Sequence, residues 1–251
     1  MDQAYWDRVA GRFDSEVLKI LERDLNGTLS RTLRDLASKR KRVADFGCGN
    51  GSLLPILSAV FRDVSAIDFS RALLSQAQTR TTDSRNITFH QADLVRPIEL
   101  PHKIDVSVCV NVLLSPDAIV REAILENVTR ALKRRGKLLL VVPAFESLLH
   151  TYTTIIQTNV DLGDRRQDAV LEVQAVYEEE VVSPLEGTVV LGTEPTKLHT
   201  RESIESAILD QGLRIDRVDR IEYPWSEMID DAPEDLGAPY PWDWLVLARK
   251  P

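Results

Sequence analysis

Cysteine and methionine are scarce in this chain of 251 residues, two of each, and the four histidines stand far apart. Two cysteines cannot build the disulfide framework of a small secreted domain. Each falls where a small buried side chain is expected, Cys48 in a glycine turn and Cys109 in an apolar strand. His90, His102, His150 and His199 show no His-x-x-x-His or Cys/His spacing, so no metal site is expected. No apolar run is long enough to span a bilayer. The start, Met1-Asp2-Gln3-Ala4-Tyr5-Trp6, lacks the basic segment and apolar core of a secretion signal, and the expectation is a cytoplasmic protein. Positive charge is in the minority: 31 Lys and Arg face 39 Asp and Glu, and the net charge of −8 argues against a nucleic-acid partner. The basic run Lys39-Arg40-Lys41-Arg42 reads as a solvated helix end ahead of the first strand, and Glu178-Glu179-Glu180 as a solvated face.

What is present begins with Val43-Ala44-Asp45-Phe46-Gly47-Cys48-Gly49-Asn50-Gly51-Ser52-Leu53-Leu54. An apolar strand runs into a turn with glycine at three alternate positions and then into a helical pattern. Glycine permits positive φ and close approach of a ligand, and the following helix presents unpaired N–H groups. The spacing G-x-G-x-G differs from the G-x-G-x-x-G that admits a pyrophosphate, and Asp45 would repel one. A strand Val64-Ser65-Ala66-Ile67 then ends in Asp68, a third, Ile87 to Gln91, leads to Ala92-Asp93-Leu94, and a fourth, Ile104 to Val110, leads to Asn111-Val112-Leu113-Leu114. Helical patterns fill the gaps from Ser52 to Phe61, Arg71 to Arg80 and Pro116 to Arg134, and Lys137 to Pro143 reads as a strand covered on both faces. The alternation implies an α/β fold with a doubly wound parallel sheet and polar residues at its carboxyl edge. Asp68 and Ser70 are both fit to cap the helix that follows.

The glycine turn and its acids resemble the first motif of the class I S-adenosylmethionine-dependent methyltransferases. That resemblance implies S-adenosylmethionine as cofactor and a seven-stranded, mostly parallel sheet, with the last strand inserted antiparallel between the fifth and sixth. In this chain those would be the segments around Trp242 to Arg249 and Arg214 to Tyr223. It implies that Gly47, Cys48, Gly49 and Gly51 pass under the methionine part, with Asp45 orienting its amino group. Asp68 would take the ribose hydroxyls, with Phe69 beside it. Asp93 would accept from the adenine amino group between Ala92 and Leu94, and Asn111 and Val112 would lie under the cofactor. The segment Tyr5 to Asp14 resembles the one in which an aromatic residue, here Phe13, and a neighbouring polar one touch the methionine end, with packing of Trp6 and Phe13 against the sheet as the alternative.

The chain is read as a single methyltransferase domain over 1–251. Residues 1–41 form an N-terminal helical lid with Trp6, Val9, Phe13, Val17 and Leu21 on one face, 42–144 the cofactor-binding half, 145–199 a cap, and 200–251 the closing strands. The cap reads as two helices, Leu148 to Val160 and Arg166 to Val181, and a hairpin around Pro195. It is placed to cover a small-molecule acceptor, and packing in a homodimer is its rival role. His150, Tyr152 and His199 are the candidate catalytic bases, none favoured over the others, and the sulfonium chemistry does not demand one. A protein or tRNA methyltransferase and a non-catalytic cofactor-binding scaffold stand as alternatives to a small-molecule enzyme.

Overall fold

The computed structural model describes residues 3–12, 20–191, 194–229 and 232–251. Its main sheet has seven strands in the order β3-β2-β1-β4-β5-β10-β9. These are β1 (Ser38–Phe46), β2 (Phe61–Asp68), β3 (Ile87–Gln91), β4 (Ile104–Val110), β5 (Leu132–Pro143), β9 (Arg214–Glu222) and β10 (Trp242–Arg249). All neighbours in β3 through β5 pair in parallel, and β10 runs antiparallel between β5 and β9, as the resemblance implied.

The apolar run of β5 is explained by its two covered faces. Leu138, Leu140 and Val142 pack with Ile124, Leu125 and Val128 of α6 (Ala118–Ala131) and with Ile204 and Ile208 of α9 (Arg201–Asp210). Leu139 and Val141 face the opposite layer, built from Leu29, Leu33 and Leu36 of α3 (Thr28–Leu36), Leu54 and Leu57 of α4 (Leu54–Val60), and Leu74 and Ala77 of α5 (Arg71–Arg80). Alternation of period two sends one strand's side chains into two cores. Among the described residues, two short N-terminal helices, α1 (Gln3–Val9) and α2 (Ile20–Arg23), precede α3. Phe13 and Val17, expected on the covering face, lie outside the described residues.

Helix starts follow local chemistry. Ser70 caps α5 by accepting from Leu73 N, Asp117 caps α6 by accepting from Ile119 N, and Thr200 caps α9 by accepting from Ser203 N. Three boundaries differ from the sequence reading. The basic run is part of β1, which starts at Ser38. Lys41 Nζ reaches the Leu36 carbonyl at 2.7 Å and Arg42 Nε reaches Asp63 at 3.2 Å, so the charges decorate a strand end and do not terminate a helix. Helix α6 stops at Ala131, because Leu132 turns extended and β5 begins there with an irregular register before Lys137. Helix α7 (Phe145–Asp161) starts directly beyond β5, three residues earlier than its apolar pattern suggests.

The segment 145–199, expected as a cap, contains α7, α8 (Arg166–Glu180) and a three-stranded antiparallel sheet, β6 (Val181–Ser183), β7 (Thr188–Leu191) and β8 (Glu194–Lys197). Pro195 falls on the edge strand, where a missing N–H costs no ladder bond. Phe145, Val189 and Leu198 form a small core of its own. A bridge between Ala144 and His199 ties this segment to the end of β5. No described helix is long and apolar enough to cross a membrane.

Candidate functional site

The carboxyl ends of β1, β2 and β4 converge on the glycine turn. Gly47 N and Cys48 N both donate to the Ile67 carbonyl, at 2.8 and 2.9 Å, which pins the turn to the end of β2. Gly47 has φ +72°, and a Cβ there would lie 2.5 Å from Val112 Cγ2, so the turn closes against the segment after β4. Gly51, at φ +80°, brings the chain against Ala77 of α5, with no room for a Cβ.

Two acids lie beneath this turn. Asp68 accepts from Gly49 N through Oδ2 and from Ser70 N through Oδ1, both at 2.9 Å. It therefore orders the loop and still has lone pairs to offer, since a carboxylate can accept about four bonds. Burial raises its pKa, and the backbone donors oppose that rise. Asp45 is 1% exposed and its Oδ2 has no hydrogen-bond partner. Burial first, and the neighbouring Asp68 second, push its pKa up to about 7. A buried carboxyl with one oxygen left without a donor fits a cationic group of a ligand. Cys48 is buried, its thiol pushed up by burial and by both acids, which leaves it a packing residue.

Helix α1 lies against the start of α5. Ser70 Oγ donates to Asp7 Oδ1 at 2.5 Å, and Gln76 Nε2 donates to the Ala10 carbonyl at 2.8 Å. Phe69 is half-buried, and its carbonyl accepts from Gln91 Nε2. Ala92 N donates to the Asp68 carbonyl at 3.0 Å, so the segment Ala92-Asp93-Leu94 runs beside the second acid. Leu94 is buried, whereas Asp93 is exposed and accepts from Val95 N at 3.0 Å.

Asn111 closes the site. It has φ +52°, donates its backbone N–H to the Val141 carbonyl at 3.0 Å, and leaves Oδ1 buried and unpartnered. Its side chain is near enough to Asp243, at the start of β10, to help hold that carboxyl's pKa down. Sequence reasoning missed Asp243, although a carboxylate set between Trp242 and Trp244 in an apolar strand is itself a signal.

The three candidate bases are all engaged. His150 Nε2 donates to the Pro239 carbonyl at 2.8 Å, and its ring packs against Trp225 and Trp242. Tyr152 donates to Glu180 at 2.5 Å, tying α7 to α8, and burial together with that carboxylate raises its pKa. His199 is 4% exposed and donates from Nε2 to the Leu113 carbonyl at 2.9 Å. Burial lowers its pKa to about 4, so the ring is neutral near pH 7. Of the three, His199 alone meets the segment that follows Asn111. Lys197 N and Arg121 Nη1 take the next two carbonyls, Leu114 at 2.8 Å and Ser115 at 2.5 Å.

Comparison with known proteins agrees with this geometry. Residues 43–136 match the family model described as a methyltransferase domain. Malonyl-[acyl-carrier protein] O-methyltransferase 2 of Coxiella burnetii is 30% identical over 91 residues, 36% of each chain, so the aligned part is about a third of that relative. The N-methyltransferase NodS of Bradyrhizobium japonicum, solved with S-adenosyl-L-homocysteine, superposes with a TM-score of 0.62 at 12% identity over 98% of both chains. The magnesium protoporphyrin IX methyltransferase of Synechocystis, also solved with that product, gives 0.57 at 18% identity over 99% of this chain and 94% of its own. The fold is that of the Rossmann-like methyltransferases, and the sequence match falls on the half that carries the glycine turn and Asp45, Asp68 and Asp93.

Proposed function

We propose that this chain, whose residues 43–136 form a methyltransferase domain of the S-adenosylmethionine-dependent class, transfers a methyl group to a small-molecule acceptor. The observation that carries the reading is Asp45, a buried carboxyl with an unpartnered oxygen beside the glycine turn. It is suited to the α-ammonium of the cofactor's methionine part. Asp68, already ordering Gly49 and Ser70, would accept from the ribose hydroxyls. Asp93 at the exposed rim would accept from the adenine amino group between Ala92, Leu94 and Phe69, with Gly47, Cys48, Gly51, Asn111 and Val112 completing the contacts.

When bound, the cofactor supplies an activated sulfonium methyl, so the protein's task is alignment. Holding an acceptor in line and dry is worth roughly 7–11 kcal/mol of barrier. The segment 111–115 floors that space, and the cap, through His199, Lys197 and α7, would hold the acceptor over it. His199, neutral and with Nε2 committed to Leu113, has Nδ1 left as an acceptor of hydrogen bonds or protons. The net charge of −8 and the NodS and protoporphyrin relatives favour a small molecule over a polyanion. We read 1–251 as one domain, with 145–199 as its acceptor cap.

Calorimetry should show S-adenosylmethionine or its demethylated product binding while NAD does not. Incubation with isotopically labelled cofactor and a cell extract, followed by mass analysis, should then yield a labelled product. Binding without transfer to any component would favour a scaffold, and tight NAD binding without sulfonium binding would overturn the reading.

A further inference from the structure

Lys197 and Arg121 present an arrangement that the cofactor site does not use. Lys197 is 8% exposed, and its Nζ donates to the backbone carbonyl of Glu186. Among the described residues it forms no ion pair, and neither does Arg121, which is half-buried. The Lys197 pKa is lowered first by burial and then by the nearby Arg121, with Glu186 opposing. The Arg121 pKa is lowered by burial, and the charges of Asp117, Glu186 and Glu122 oppose that. Across the strand pair, Lys197 stands directly opposite Thr188, so the two side chains share one face of the cap sheet. Thr188 is 3% exposed and its Oγ1 has no partner. Burying an ammonium and a hydroxyl in this way is unfavourable unless something answers them.

Their position says what that something is. His199, Lys197 and Arg121 hold the consecutive carbonyls of Leu113, Leu114 and Ser115, which directly follow Asn111 and Val112. The cluster therefore borders the floor on which an acceptor must lie. We propose that Lys197, Arg121 and Thr188 form an anion subsite for the acceptor, which carries a carboxylate or phosphate group. This rests on the methyltransferase reading above and adds the chemical class of the acceptor to it.

The probes are inorganic phosphate and succinate, titrated at constant ionic strength into protein saturated with S-adenosylhomocysteine, with chloride as control and thermal unfolding as readout. Wild type should gain stability saturably with at least one of the two anions. Lys197→Met, which keeps the buried stem, and Arg121→Met should weaken that response about 10-fold to 100-fold, the scale of a lost charge-assisted bond. Thr188→Val, matched in shape, should weaken it in the same direction and covers the case in which a cation variant misfolds. Affinity for S-adenosylhomocysteine should stay within about twofold in all three, since none is in the cofactor site. The preferred anion distinguishes a phosphate-bearing from a carboxylate-bearing acceptor. Equal responses to chloride and the probes, or variants responding as wild type does, would overturn the subsite. A labelled extract product with no anionic group would do so as well while leaving methyl transfer established, whereas failure of wild type to bind S-adenosylhomocysteine would count against the methyltransferase reading instead.

Discussion

Tyr223 donates its phenolic hydrogen to Asp243 Oδ2 at 2.8 Å, and both side chains are buried where β9 ends and β10 begins, beside the candidate site. Asn111 lies near enough to the same carboxyl to help hold its pKa down. The Asn111 side-chain oxygen is buried without a partner. Through Tyr223 the two strand ends are joined at one carboxyl group.

Asp243 also has a measurable electrostatic signature. Burial raises its pKa from 3.8 to about 6, and the bonds from Tyr223 and Asn111 reduce that rise. A raised carboxyl favours folding while protonated, below about pH 4, and loses that contribution as pH climbs through about 6. Asp243→Asn should therefore gain stability relative to wild type between pH 5 and pH 8, by about 1–3 kcal/mol. Denaturant unfolding at the two pH values measures it. A difference that does not change with pH would remove the buried ionisable group from the account.

Asp45 predicts that cofactor binding expels a proton. Without ligand its pKa is about 7, so near neutral pH it is only partly ionised. A bound ammonium stabilises the ionised form and pulls that pKa down. Affinity should then rise with pH between about 6 and 8, approaching tenfold per unit on the acid side. Calorimetry in buffers of different ionisation enthalpy should record proton release on binding. Asp45→Asn should bind weakly with no pH slope, and a wild-type affinity flat across this range would place the ammonium elsewhere.

Asp68 is both ligand and loop support. The ribose role alone suggests that Asp68→Ala folds normally and binds cofactor about 30-fold to 1000-fold more weakly. The bonds from Gly49 N and Ser70 N add a stability cost of about 1–3 kcal/mol, because two buried N–H groups lose their acceptor. Unfolding and calorimetry on the same variant separate the two effects. Lost affinity without lost stability would mean that the turn is held by Ile67 alone.

How much of this was readable in advance follows from what is local. The glycine turn, Asp45 and Asp68 are legible because a strand, a tight turn and a helix start each impose residue types at fixed positions. Strand β5 is legible because burial on both faces leaves a continuous apolar run. The first half of β1 was not, since its solvated end carries four consecutive basic residues that hide the strand. Asp243, Tyr223 and the Lys197–Arg121–Thr188 group were not legible for another reason: they meet only after β9, β10 and the cap have folded across β4. Tyr152 and His150 looked like catalytic candidates because sequence gives a side chain's type and not its partner, and the structure supplies Glu180 and Pro239.

Those partners set the last expectation, that the cap residues differ in what they control. Tyr152 touches Glu180 and packs with Tyr177 in the joint between α7 and α8, so Tyr152→Phe should lower stability modestly and leave cofactor affinity within about twofold. His150→Ala removes a ring between Trp225 and Trp242 and should act on transfer or stability with the cofactor half intact. His199 is different, because it holds the Leu113 carbonyl next to Val112, and Val112 closes on Gly47. His199→Ala leaves that carbonyl without its donor and should impair cofactor binding and transfer together, by about 5-fold to 100-fold in affinity for a loss of about 1–3 kcal/mol. Calorimetry with S-adenosylhomocysteine on the three variants, each checked by circular dichroism, decides the matter. If His199→Ala binds as wild type does while Tyr152→Phe fails, the cap would be coupled to the cofactor through α7 and not through the end of β8. Variants that dissociate to monomers and regain transfer at high protein concentration would assign the segment to dimer packing instead.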